Sequence, residues 1–180
     1  MCRMFLRMFQ CFCKKADDEY TASGVVFTNG VHILAGYQPN KKKPCISGIG
    51  GRKKPGETYF ETAIRELVEE LFEIYTIPQE LLQDIREQML PKKIIRTEGY
   101  VNHVYTFSDL QTLLILMKKH SMESELYKEM PSNISELVFN RTIVKKQVEI
   151  SHICILPLVK HDSTTQYIDP CFLSDFPIGL

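Results

Sequence analysis

The stretch from Gly51 to Glu70, GRKKPGETYFETAIRELVEE, constrains this chain more than any other. Phe60, Ala63, Ile64, Leu67, Val68 and Leu71 recur at helical spacing and form a stripe that must be buried. Thr58 followed by Glu61 reads as a capping box, and Glu57 adds negative charge at the positive end of the helix. Glu66, Glu69 and Glu70 then fall together on a face turned away from the stripe. Like charges three and four positions apart repel, so the grouping weakens the helix that carries it. Carboxylates about 5–6 Å apart become favourable around a hard divalent cation. Mg²⁺ takes oxygen ligands, keeps several waters and bridges to substrate phosphates. An isolated acidic face reads as solvated surface. Fixed spacing to Gly51, Glu57 and Arg65 sets this one apart.

The segment resembles the signature of Nudix hydrolases, G-x5-E-x7-R-E-U-x-E-E-x-G-U with U a bulky aliphatic residue. It matches at Gly51, Glu57, Arg65, Glu66, Leu67, Glu69 and Glu70. It departs at the end, where Phe72 stands for Gly and Glu73 for an aliphatic residue. The family's Gly ends its helix in a left-handed turn, which Phe makes poorly, so this helix is expected to run on or end differently. The EELF ending looks like that of divergent Nudix proteins of large DNA viruses.

The resemblance implies an α/β/α sandwich with a mixed sheet, here carrying a helical insertion around residues 109–147. It also implies hydrolysis of a nucleoside diphosphate linked to another group, dependent on Mg²⁺ or Mn²⁺. Glu66, Glu69 and Glu70 are the expected metal ligands, with a backbone carbonyl of Gly51 or neighbouring Gly50. Glu66 is expected nearest the attacking water. Arg65 would orient the carboxylates by pairing with Glu57 or Glu69. Arg52, Lys53 and Lys54 are candidates for phosphate contact. Glu98, His103, Glu149 and His152 are further candidates for a base, each His reading more simply as a satisfied core or sheet histidine. Tyr100, Tyr105 and Phe107 could stack on a base, but aromatic residues are common in strands and packing is the simpler reading.

At 180 residues the chain suits one domain with a core of its own, and 44 % hydrophobic with 24 % charged residues is globular composition. The formal net charge of zero supplies no global field for nucleic acid or membrane. Positive charge is instead clustered, with short runs at Lys41–Lys43, Arg52–Lys54, Lys92–Lys93 and Lys145–Lys146. No P-loop, dinucleotide fingerprint or DNA-binding module is present. The six cysteines show no zinc spacing, with Cys45 and Cys154 reading as buried thiols, so a reducing, cytoplasmic setting is expected. The apolar residues 1–15 are broken by Arg3, Arg7 and Gln10. They are too short and interrupted to span a bilayer and read as a docking or disordered terminus rather than a membrane-surface helix acylated at Cys2, Cys11 or Cys13.

The expected division is a segment 1–16, a hydrolase domain 17–160 and a tail 161–180, turn-rich and extended. Asn29-Gly30 predicts a type I′ hairpin. Cys45 to Ile49 reads as a short strand followed by a glycine loop. Pro78 opens a helix through Gln88, and strands at 94–97 and 100–107 flank Glu98-Gly99. Ser108 or Asp109 is expected to cap a helix to about His120, with a short helix near 124–130 and a strand over 148–159. Capped RNA and free nucleotides both remain open as substrates. A catalytically silent binding module of the same fold is the alternative, and nothing in the sequence indicates an oligomeric state.

Overall fold

The computed structural model describes residues 20–142, 148–158 and 166–174. The expectations for 1–15, for Lys145–Lys146 and for the strand's end at Val159 lie outside them. The sheet is mixed. β1 (Ala22–Thr28) runs parallel to β6 (Tyr100–Thr106) from Ala22↔Tyr100 to Thr28↔Thr106, and β6 runs antiparallel to β5 (Lys93–Thr97). β2 (His32–Gln38) runs antiparallel to β7 (His152–Pro157) and to β3 (Cys45–Ser47).

β1 and β2 pair only at Thr28↔Ile33, so the hairpin opens into a V. The chain fills that V. β3 lies against β2, and after Gly48 β4 (Ile49–Arg52) lies against β1, from Val25↔Ile49 to Ala22↔Arg52. The expected strand-then-glycine-loop is thus two strands, with Gly50 and Gly51 inside the second. The hairpin turn also differs from type I′. Gly30 takes a positive φ of 84° but Asn29 does not. The Asn29 side-chain oxygen accepts from the N–H groups of Val31 (3.0 Å) and His32 (2.7 Å), an Asx turn that needs one left-handed residue rather than two.

The main core lies on one face of the sheet, where Val25 and Phe27 meet three helices, α1 (Tyr59–Phe72), α2 (Gln79–Gln88) and α3 (Phe107–Lys119). Val26, Ile33 and Val104 point to the other face, covered by Ile168 and Phe172 around the short α5 (Pro170–Ser174). The segment expected to be extended is therefore partly helical. α3 starts earlier than expected: Thr106, the last residue of β6, caps it, and Asp109 closes the capping box from inside the helix. No helix forms over 124–130. The short helix is α4 (Ile134–Phe139), capped by Asn133, because Leu126 and Tyr127 are buried in a turn instead.

Candidate active site

α1 is built as its sequence requires. Thr58 Oγ1 accepts from the Glu61 N–H at 3.2 Å, while Glu61 Oε2 accepts from the Thr58 N–H at 2.9 Å. Ala63, Ile64, Leu67, Val68 and Leu71 are fully buried against β1 and β4. The acidic residues of the signature do not stand on a solvated face. Glu66 and Glu69 side chains are 14 % and 15 % exposed, and Glu70 is buried at 3 %.

Arg65, itself buried, gathers most of this charge. Its Nε donates to Glu57 Oε1 at 2.6 Å and its Nη2 to Glu57 Oε2 at 3.1 Å, a bidentate pair. Its Nη1 donates to Glu66 Oε1 at 2.6 Å and Glu69 Oε2 at 2.9 Å, and Nη2 reaches the Arg52 carbonyl at 2.8 Å. Lys54 adds its Nζ to Glu69 at 3.1 Å and its backbone N–H to Glu57 at 2.9 Å. Although burial opposes it, these bonds and one from Thr62 hold the Glu57 carboxyl below its ordinary pKa. Likewise, against burial, Glu57 and Glu66 raise the pKa of Arg65, so the guanidinium stays charged. The Lys53 N–H is spent on the Thr21 carbonyl at 2.9 Å, and Arg52 is exposed. The sequence pattern anticipated Arg65 pairing with Glu57 or Glu69; it pairs with both, and with Glu66.

Glu70 belongs to a different environment. Its Oε2 accepts from the Gly50 N–H at 3.2 Å, so the last acid of α1 is anchored on β4. Burial lifts its pKa well above the carboxylate range, and the charges of Glu149 and Glu66 lift it further. Burial also raises Glu66, opposed by Arg65 and reinforced by Glu69 and Glu149. Of the four acids of α1, Glu61 closes the cap, Glu69 is held by Lys54 and Arg65 and Glu66 by Arg65, while Glu66 and Glu70 share a field with Glu149. A guanidinium offers five donors, and at one and four positions from Glu66 and Glu69 Arg65 draws those two toward itself. Gly51 sits directly under Glu66, where an added Cβ would lie 2.5 Å from the carboxylate.

Among the described residues, no three or more His, Cys, Asp or Glu side chains are gathered so that they could hold a metal ion. The donor chemistry is nevertheless that of a hard divalent cation. The charges of Glu66 and Glu149 both act on Glu70, and buried Glu70 has one neutral donor, the Gly50 N–H, against its charge.

The remaining candidates separate by position. His103 is buried at 2 % exposure, stacked on Tyr59 at 5.3 Å between ring centroids, and neither ring nitrogen has a hydrogen-bond partner. It is a core histidine but not a satisfied one, and Tyr105 beside it is fully buried as well. His152 is exposed, with Nδ1 2.9 Å from Ser151 Oγ. Glu98 lines a cavity of about 450 Å³ on the other face of the sheet, together with Tyr100, Asn102, Lys41, Asp169 and Phe172. Gly50 lines it too, so this cavity adjoins the backbone that holds Glu70. Asn102, Lys41 and Asp169 carried no signal in the sequence, since only strand pairing and the returning C-terminal segment bring them together. Cys45 is buried as expected and Cys154 half-buried; no disulfide joins the described cysteines. Among the described residues no helix is long and apolar enough to cross a membrane.

No protein-family model and no curated protein matches the chain. Among solved structures it is similar to a bifunctional NMN adenylyltransferase/ADP ribose pyrophosphatase from Francisella tularensis, complexed with AMP and a manganese ion. That match has 13 % identity, covers 97 % of this chain and 45 % of that one, and has a TM-score of 0.47. The chain therefore spans less than half the length of the Francisella protein. A Nudix hydrolase from Nitrosomonas europaea matches at 11 % identity over 86 % of this chain and 84 % of its own, with a TM-score of 0.44. Another from M. smegmatis matches at 11 % identity over 88 % and 82 %, with a TM-score of 0.43. At scores this modest the likeness is one of layout and says nothing of activity.

Proposed function

We propose that this chain is a divalent-metal-dependent hydrolase of the Nudix type, cutting a diphosphate linkage in a nucleoside diphosphate derivative. The observation that carries the reading is Glu70, a buried carboxylate anchored on the Gly50 N–H beside Glu66 and Glu149. Burying a carboxylate among like charges is costly unless a cation joins it. Glu66, Glu69, Glu70 and a backbone carbonyl of Gly51, with Glu149 beside Glu70, would hold Mg²⁺ or Mn²⁺. When bound, such an ion neutralises charge on the phosphate oxygens, where most of the barrier to phosphoryl transfer lies.

The chain's own residues do the rest. Arg65 fixes Glu57, Glu66 and Glu69 in one arrangement through charge-assisted bonds of 2.6–3.1 Å. Glu66, with its pKa raised, is the group placed to accept a proton from the attacking water. The cavity beyond Gly50 offers Tyr100 and Phe172 as apolar walls and Asn102 and Glu98 as polar ones, a lining suited to a nucleoside. Lys54, or Arg52 and Lys53 beside it, would meet the phosphates.

A panel of capped RNA, nucleoside triphosphates, sugar nucleotides and dinucleotides, with Mg²⁺ or Mn²⁺ and products identified, tests the reaction. Glu70→Gln keeps the shape and removes the charge, so turnover falls by at least about 100-fold while the fold is kept. Unchanged turnover in that variant overturns the assignment. Capped RNA and free nucleotides separate by salt, because contacts to a polyanion weaken steeply as salt rises. One observation favours the second reading, a silent binding module: Arg65 and Lys54 already neutralise Glu66 and Glu69. A silent module binds nucleotide and releases no product with either metal.

A further inference from the structure

The C-terminal end of α1 lacks the glycine that ends such helices in the resembling family, and no basic residue stands in its last turn. Its final carbonyls are met from elsewhere. Ser124 Oγ donates to the Phe72 carbonyl at 2.5 Å. Arg141 Nη2 donates to the Glu70 carbonyl at 3.1 Å, and its Nη1 to the Leu71 carbonyl. The same guanidinium reaches away from the helix. Its Nη2 donates to the Ile150 carbonyl at 2.7 Å and its Nη1 to the Tyr127 hydroxyl at 3.1 Å, with the Tyr127 ring centroid 5.8 Å away. The residue before Ile150 is Glu149, on a segment tied to the end of β2 by Asn40 Nδ2 on the Val148 carbonyl (3.1 Å) and the Ser151 N–H on the Tyr37 carbonyl (2.9 Å).

We propose that Arg141 is a positioning residue: it clamps the end of α1 to the 148–151 segment and so sets the distance of Glu70 from Glu149. Two separate stretches that carry acids of one cluster meet on one planar fork, and the backbone carbonyl of Glu70 itself is among its acceptors. A lysine offers one nitrogen in place of that fork, so it loses the Nη1 bonds to Leu71 and Tyr127 and with them the orientation in which Nη2 spans both stretches. Like charges held together need a rigid frame, since without one they move apart until metal affinity is lost. Ser124 serves as the internal contrast, because it caps the same helix end and, among the described residues, makes no side-chain hydrogen bond to the 148–151 stretch. The inference rests on the metal-dependent reading above.

The test is Mn²⁺ binding by calorimetry to the full chain, with melting temperature measured beside it. Arg141→Lys weakens Mn²⁺ roughly tenfold or more. Ser124→Ala lowers the melting temperature yet leaves Mn²⁺ affinity within about twofold, as the absence of contact with the second stretch requires. Tyr127→Phe keeps the ring, removes the hydroxyl that the guanidinium donates to, and shifts affinity in the same direction as Arg141→Lys by a smaller factor. Wild-type affinity in both Arg141→Lys and Tyr127→Phe overturns the clamp. So does a Ser124→Ala loss equal to that of Arg141→Lys, since helix-end stability alone then accounts for both. A wild-type chain that takes up no Mn²⁺ instead overturns the metal reading, a result distinct from either.

Discussion

His103 lies between two tyrosine rings, 5.3 Å from Tyr59 and 6.4 Å from Tyr105 between centroids, with both ring nitrogens unbonded. Burial, helped by the positive charge of Arg96, lowers its pKa from 6.5 to about 4. The folded chain therefore refuses a proton that the unfolded chain accepts. As pH falls from about 6.5 toward 4, stability drops by on the order of 3 kcal/mol from this group, and below that it drops no further. His103→Phe removes the titration, so between pH 7 and pH 5 the variant loses about 2 kcal/mol less than the wild type in urea denaturation. Equal losses would refute this account of the histidine. Alternation along β6 made His103 legible as an inward residue, but its missing partners were not, because they depend on which rings α1 brings over it. The burial of Glu70 was hidden for a similar reason. Helical spacing set it on the acidic face, and only the position of β4 turns that face inward.

α1 shows what a helix announces locally and what it does not. The capping box of Thr58 and Glu61 was readable because both partners lie within one turn. The end was readable only as a departure. Phe72 is fully buried as the last helical residue, and the left-handed position passes to Glu73, with φ 53° and ψ 37° and its N–H on the Glu69 carbonyl at 2.8 Å. A side chain bearing Cβ is strained there. Glu73→Gly relieves that strain and raises stability by about 1 kcal/mol, read as a higher urea midpoint at unchanged slope. A lower midpoint would show that the Glu73 side chain contributes more than its backbone costs. The start of α3 escaped reading because strand runs straight into helix, and Thr106 serves as the last residue of one and the cap of the other. Such a junction carries no turn residue to mark it.

The whole molecule is a sheet with a wedge set into it. β1 and β2 part after one residue pair, β3 and β4 fill the opening, and the helix that follows lies over β4 with Glu66 above Gly51 and Glu70 on Gly50. A cation that binds only this assembled state stabilises the whole fold. At one hundred times its Kd, Mn²⁺ adds about 2.7 kcal/mol and raises Tm by roughly 5–10 °C over a chelator-treated sample. A Tm indifferent to Mn²⁺ removes the reading that the acids are a metal site. What the sequence determined by itself was local and periodic: the buried stripe of α1, its cap, and the spacing from Gly51 to Glu70. Those follow from hydrogen bonds and side-chain directions within a few residues. The tertiary structure alone decided that the acidic face of α1 is turned inward over β4, that the charge of Glu149 reaches Glu70, and that Arg141 meets the end of α1 from some seventy positions away. Contacts at that separation are chosen by how the layers pack, and no pattern along the chain encodes them.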